Sequence, residues 1–114
     1  LAGALDRDVL SSLFDDEEGR QLASELIESF FELAPEHLAQ MEAALEGDDL
    51  DRCASVAHKF VSTSGTVGAI RLAQLLREIE QCASRGDSEL SARLVASCRV
   101  ETDRARRALE GTIG

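Results

Sequence analysis

Apolar residues recur at helical spacing along most of this 114-residue chain, and three short breaks interrupt the pattern. The breaks lie at Gly47, Gly68 and Gly86, and polar capping residues follow the first and the last of them. Spacings of three and four place side chains on one helix face. Glycine followed by Asp or Ser is typical of a point where one helix ends and the next begins. We therefore expect an all-α fold whose short connections make successive helices antiparallel neighbours.

The pattern predicts about six helices. A short first helix is indicated by Leu5, Val9, Leu10 and Leu13, and the acidic run at 15–18 opens a second. Pro35 is expected to end that second helix and to begin a third. Gly47 is expected to terminate the third helix in the left-handed conformation.

The last three predicted helices have clearer limits. The fourth runs from about Leu50 to the turn at Gly68, after a cap at Asp48 or Asp49. The fifth runs from about Ile70 to Ser84, and the sixth follows a cap at Asp87 or Ser88. The expected architecture is an antiparallel four-helix bundle with additional short N-terminal helices, folded as a single domain over residues 1–114.

Composition argues against several classes of function. The net charge is −10, whereas nucleic acid and anionic membrane surfaces both require clustered positive charge. Arg104, Arg106 and Arg107 lie among acidic residues, which indicates a solvated helix face. No apolar run approaches the roughly 20 residues of a membrane span. Neither nucleic acid nor a membrane is an expected partner.

The cysteines and histidines do not form a metal-binding pattern. Cys53, Cys82 and Cys98 are odd in number and lack C-x-x-C spacing, so neither a disulfide framework nor a zinc site is expected. They fit apolar helix faces as small core thiols, and a cytoplasmic location is the expectation. Neither His37 nor His58 has a second ligand at metal-binding spacing, and no metal site is predicted. No hydrolase elbow or phosphate-binding glycine loop occurs either.

His58 is the one obvious reactive group that the pattern leaves on a surface. The buried face of its helix is predicted to comprise Cys53, Ala57, Phe60, Ser64 and Val67, and His58 lies about 100° from that face. Its outward neighbours are expected to be Ala54, Val61, Ser62 and Gly65, which are small enough for another surface to approach. A neutral imidazole can carry a phosphoryl group. Most histidines at such a position on a helix are only solvated surface residues.

Segment 57–69, with the sequence AHKFVSTSGTVGA, resembles the A-H-x-L-K-G-S-S-x-x-L-G-A motif of histidine-containing phosphotransfer (HPt) domains. Similarity extends along the chain, at Leu5-Asp6, Phe30 through Ala34-Pro35, Leu38, Asp49-Leu50 and the segment 72–80. The resemblance implies a helical bundle that acts as a phosphocarrier without kinase activity of its own. His58 would accept a phosphoryl group on Nε2 from a receiver-domain aspartate and pass it on.

The resemblance also implies partners and further site residues. The partner would be a response-regulator receiver domain or a hybrid histidine kinase, and the receiver would supply Mg²⁺, so this chain would need no cofactor. Glu80 falls where the family has a polar residue that bonds Nδ1 of the histidine, although it could also be only a surface acid. The surface that contacts the partner would comprise Ala54, Lys59, Val61, Ser62 and Gly65.

Two positions depart from the family motif. Val61 replaces a lysine that helps to neutralise the phosphate, and Ser62 replaces the glycine that follows it. Lys59 projects about 100° away from His58 and does not simply substitute for that lysine. One alternative function is therefore an HPt-like docking module that binds a receiver or kinase without phosphotransfer. A second alternative is a structural or dimerisation bundle.

Overall fold

The structure, a computed structural model, describes residues 17–113 and consists of four helices over this range. They are α1 (Glu17–Glu46), α2 (Leu50–Thr66), α3 (Ile70–Ser84) and α4 (Ser88–Ile113). Each helix packs against the next along the chain, and α1 also packs against α4, which closes the bundle. Because only three residues separate successive helices, each helix must run back along the preceding one. The prediction of an all-helical fold is confirmed, and none of these four helices is long and apolar enough to cross a bilayer.

The prediction of about six helices is not matched. The predicted second and third helices are one continuous helix, α1, with Pro35 in its interior. The predicted first helix, built on Leu5, Val9, Leu10 and Leu13, lies outside the described residues. The helix boundaries predicted for α2 and α3 agree with the structure to within two residues.

Burial on both sides of Pro35 explains why α1 continues through it. A proline inside a helix costs about 3 kcal/mol, because it removes one backbone hydrogen bond and crowds the carbonyl four residues earlier. The same face of α1 buries Phe30 and Ala34 before the proline and Leu38 and Met41 after it, each at most 5% exposed. Each large apolar side chain contributes roughly 1.5–3 kcal/mol when it is fully buried. Ending the helix at Pro35 would separate these contacts, so packing outweighs the local cost.

The three connections share one hydrogen-bond pattern. In each, the amide three residues beyond the helix end donates to the carbonyl of the third residue from that end, as in Asp49 N to Ala44 O (2.8 Å) and Ala69 N to Ser64 O (2.9 Å). The left-handed residue is Gly68 in the second connection and Gly86 in the third. In the first it is Asp48 (φ 55°), so the prediction for Gly47 is wrong by one position. Aspartate tolerates this conformation better than most residues, so Asp48 can take the position that glycine occupies in the other two connections.

Aspartate side chains cap two of the helices. Asp49 Oδ1 accepts a hydrogen bond from Arg52 N at the start of α2, and Asp87 Oδ1 accepts one from Leu90 N at the start of α4, both at 3.1 Å. The sequence allows Asp48 or Asp49 as the first cap and Asp87 or Ser88 as the second, and the structure uses Asp49 and Asp87. Each cap satisfies an amide that has no partner inside the helix. The caps therefore define where α2 begins and, with it, how far along the helix His58 lies.

The core lies between the buried faces of all four helices. On α2 the predicted buried face is confirmed, since Cys53, Ala57, Phe60, Ser64 and Val67 are at most 1% exposed. The ring of Phe60 packs against Phe30 of α1, with 6.4 Å between ring centroids. This packing holds α2 in one rotation about its axis, and so determines which α2 side chains face outward.

Candidate functional site

His58 projects from the middle of α2 into solvent. Its side chain is 72% exposed, while Ala57 and Phe60 on either side of it in sequence are fully buried. One residue corresponds to about 100° of rotation in a helix, which is sufficient to move from the core to the surface. The outward position predicted from the spacing is the position found.

Glu80 of α3 contacts the imidazole directly. Its Oε1 lies 2.9 Å from Nδ1 of His58, and the carboxylate side chain is 38% exposed. A carboxylate can only accept a hydrogen bond, so Nδ1 must carry the proton in this contact. In a neutral ring with Nδ1 protonated, Nε2 holds the free lone pair. The pair therefore orients the ring and leaves Nε2 available as a nucleophile.

The two residues lie in an open cleft of about 510 Å³ between α2 and α3. Its lining comprises His58, Val61, Arg77, Glu80, Gln81 and Ser84. The sequence analysis predicts His58, Val61 and Glu80 as site residues, but not the other three. Their signal was present in the sequence, because Arg77 and Ser84 lie three and four residues from Glu80, and Gln81 lies four residues after Arg77 and three before Ser84. Residues at spacings of three and four share a helix face. These three residues could therefore be predicted by assuming that Glu80 points at His58.

The other predicted binding residues lie outside this cleft. Lys59, Ser62 and Gly65 are exposed on α2. Lys59 lies near His37, whose pKa is lowered chiefly by burial and further by the charge of Lys59. The expectation that Ala54 faces outward is wrong, since Ala54 is only 9% exposed. The reason is that α2 packs against both α1 and α3, which covers more of its circumference than one row of side chains.

On the C-terminal side of His58, little side-chain bulk projects from the exposed face of α2. A Cβ placed on Gly65 would meet no atom within 4 Å, so nothing in the described part of this chain requires glycine there. Val61 is half-buried and packs against the core. A second protein could therefore approach the backbone of α2 closely between these two residues.

The three cysteine thiols are inaccessible to a reaction partner. Cys53, Cys82 and Cys98 are buried free thiols, and burial raises the pKa of Cys98 to about 12. A thiol with so high a pKa is not a nucleophile at neutral pH. Within residues 17–113 no group of three His, Cys, Asp or Glu side chains could hold a metal ion.

The C-terminal arginines are neutralised by their own helix. Arg104 pairs with Glu101, Arg106 with Glu110 and Arg107 with Asp103, at 3.0–3.2 Å. These contacts are three or four residues apart along α4. The prediction of a solvated, charge-balanced helix face at this position is confirmed.

A helical bundle that presents one solvent-exposed histidine, with a carboxylate on its inner nitrogen, is the arrangement expected of a phosphocarrier. The family model described as "Hpt domain" matches residues 25–110 of this chain. The chain belongs to the Hpt domain family, and its function is histidine phosphotransfer in a phosphorelay. The HPt resemblance predicted from segment 57–69 is thus confirmed.

A solved structure agrees with this assignment. The crystal structure of histidine-containing phosphotransfer protein B (HptB) from Pseudomonas aeruginosa PAO1 superposes with a TM-score of 0.82 and 27% sequence identity. The match covers 98% of this chain and 96% of the HptB chain. The comparison with curated protein sequences found no match.

Proposed function

We propose that His58 is the residue on which this phosphotransfer domain carries its phosphoryl group, with Nε2 as the attacking atom. The supporting observation is the contact between Nδ1 and Glu80, because it holds the ring in the tautomer in which Nε2 is nucleophilic. His37 is the only other histidine in the sequence, and its Nδ1 is buried without a hydrogen-bond partner among residues 17–113. An incoming phosphoryl donor therefore has better access to His58.

The proposed reaction needs no proton transfer from Nε2. The Nε2 lone pair attacks phosphorus of an aspartyl phosphate in line with the leaving oxygen, an N–P bond forms, and the P–O bond to the aspartate breaks. The aspartate leaves as a carboxylate with the electron pair of the broken bond. The imidazole becomes more positive as the N–P bond forms, and the carboxylate of Glu80 stabilises that charge through Nδ1–H. The return step to a second aspartate reverses these changes.

The proposed partner is a receiver domain, alone or within a hybrid kinase, that docks over the exposed face of α2 and the α2–α3 cleft. The surface beside His58 is formed by three small residues, Val61, Ser62 and Gly65, and a partner can approach it closely. Lys59 lies at the edge of this surface. The receiver would bring both the phosphorylated aspartate and its Mg²⁺, which would neutralise charge on the transferring group. The residues of this chain would position Nε2 and stabilise the imidazole.

A reducing, cytoplasmic compartment is part of this proposal. Three cysteines are buried in the core as free thiols. Proteins that fold in oxidising compartments tend to pair their cysteines in disulfides. Receiver domains and kinases, the partners of the family, would meet the chain in the same compartment.

A transfer assay with a ³²P-labelled receiver tests the assignment of His58. The wild-type chain should acquire acid-labile label, and His58→Gln should acquire none. His37→Gln is the matched control, because it removes the other histidine, and it should be labelled like the wild type. Label that persists in His58→Gln would assign the acceptor to another residue.

The same assay separates relay from docking alone. If the wild type binds the receiver with micromolar affinity but no donor labels it, the chain is a docking module. Binding should then be unchanged in His58→Ala. Receiver-dependent labelling of His58 excludes that alternative.

A further inference from the structure

A phosphoryl group on His58 would add negative charge close to the carboxylate of Glu80. This inference rests on the proposed function of His58. The phosphoryl group carries up to two negative charges, and the carboxylate of Glu80 lies on the other nitrogen of the same ring. The carboxylate balances the positive charge that the imidazole gains, but it also repels the phosphoryl oxygens, and that repulsion raises the free energy of the phosphorylated state. A cation near Nε2 would lower it.

Most arginines of the described chain are already paired with carboxylates. Arg71 and Arg104 bind Glu101, Arg99 binds Glu42, and Arg93, Arg106 and Arg107 bind acids on α4. Four arginine side chains, those of Arg20, Arg52, Arg77 and Arg85, make no ion pair or hydrogen bond with any residue in the range 17–113. Arg77 is the one of these four that lies beside His58. It is exposed, and it lines the cleft that contains His58.

The position of Arg77 on α3 directs it to this cleft. Arg77 lies three residues before Glu80 and seven before Ser84, so the three share a helix face. Glu80 is the nearest acid on that face, but its carboxylate is engaged by Nδ1 of His58, and Arg77 makes no ion pair with it within residues 17–113. The guanidinium is therefore free to bind another anion in the cleft.

Lys59 is the other cation close to His58 in sequence, and it does not fulfil this role. It follows His58 directly and so points about 100° away around α2. It is absent from the cleft lining, and its charge acts on His37. Val61, the α2 residue that does line the cleft beside His58, carries no charge.

We propose that Arg77 binds the phosphoryl oxygens of phosphorylated His58 and stabilises that state. The planar guanidinium can donate two parallel hydrogen bonds to a phosphoryl group. Positive charge would thus reach the phosphate from α3 rather than from α2. In the unphosphorylated domain Arg77 remains in solvent and available.

The test uses a chemical phosphoryl donor, so that recognition of a receiver does not enter. Wild type, Arg77→Ala, Arg77→Lys and Arg85→Ala are phosphorylated with phosphoramidate, and the phosphoryl group is titrated by its ³¹P chemical shift. Arg85 is the matched control, because it ends the same helix, is exposed and lies outside the cleft. The lifetime of the phosphorylated form is measured in parallel.

Loss of a nearby positive charge should make the phosphoryl group bind its proton more tightly. We expect Arg77→Ala to increase that proton affinity by about threefold to tenfold, to shorten the lifetime, and to be partly rescued in Arg77→Lys. Arg85→Ala should match the wild type. If Arg77→Ala and Arg85→Ala have equal effects, the proposed role of Arg77 is wrong. The same holds if Arg77→Ala has no effect although His58 is phosphorylated. Either result would leave the proposed function of His58 intact. A wild type that takes no phosphate on His58 would overturn the proposed function and this inference with it.

Discussion

Nδ1 of His58 and Oε1 of Glu80 lie 2.9 Å apart, although 22 residues separate them in sequence. Both side chains are substantially exposed, at 72% and 38%. Exposed pairs of this kind contribute only about 0–1 kcal/mol to stability. The consequence of the contact is therefore orientation of the imidazole rather than stabilisation of the bundle.

Replacing Glu80 should change the tautomer of His58 and the transfer rate, but hardly the fold. We expect Glu80→Ala to lower the rate of phosphotransfer by about tenfold, because Nδ1 loses the acceptor that orients it. Glu80→Gln keeps a carbonyl oxygen in place and should lie between Glu80→Ala and the wild type. Stopped-flow transfer rates and ¹⁵N spectra of the ring nitrogens measure the two effects. An alanine variant with wild-type rate and tautomer would show that Glu80 is only a surface acid.

Gly65 should tolerate a side chain within the monomer but not at an interface. Because a Cβ there meets no atom of residues 17–113 within 4 Å, Gly65→Ala should raise the free energy of unfolding by about 0.5–1 kcal/mol, the usual gain inside a helix. Gly65→Gln should weaken receiver binding by obstructing the face of α2. Gly111→Gln on α4, which is equally open, serves as the control. Equal receiver affinity of both glutamine variants would place the docking surface elsewhere.

Ser64 is buried with a hydroxyl that makes no hydrogen bond to any residue in the range 17–113. An unsatisfied buried hydroxyl costs about 1–3 kcal/mol. Ser64→Ala should therefore stabilise the domain by about 1 kcal/mol in urea unfolding. Ser62→Ala, on the exposed face of the same helix, should change stability much less. A destabilised Ser64→Ala variant would show that the hydroxyl has a partner in solution.

The pH dependence of stability should include a contribution from His37. Burial lowers the pKa of His37 below its ordinary value, so the unfolded chain binds a proton more readily than the folded one. Stability from this group is therefore present above the ordinary histidine pKa of 6.5 and is lost as the pH falls through 6.5 toward the lowered value. Acidification from pH 7.5 to 5.5 should cost the wild type more stability than His37→Gln. Urea unfolding at both pH values measures the difference, and identical losses would contradict it.

Local patterns in the sequence determined much of this fold. Residues within a few positions of one another predict the limits of α2 and α3, the turns at Gly68 and Gly86, and the outward position of His58. They also predict each aspartate cap to within two neighbouring residues. Helix period, capping and glycine conformations are local properties, so they can be predicted without knowing what packs against them.

The tertiary structure decided the features that depend on contacts between helices. Pro35 does not end α1, because burial of Phe30, Leu38 and their neighbours outweighs the local cost of a proline. Ala54 is covered because α2 packs against two helices at once. The register of α2 against α3 brings Glu80 and Arg77 to the cleft of His58, and no spacing within one helix specifies that register. The sequence alone thus determined the limits of α2 and α3 and the exposed imidazole, whereas helix packing decided the continuity of α1 and which charges surround His58.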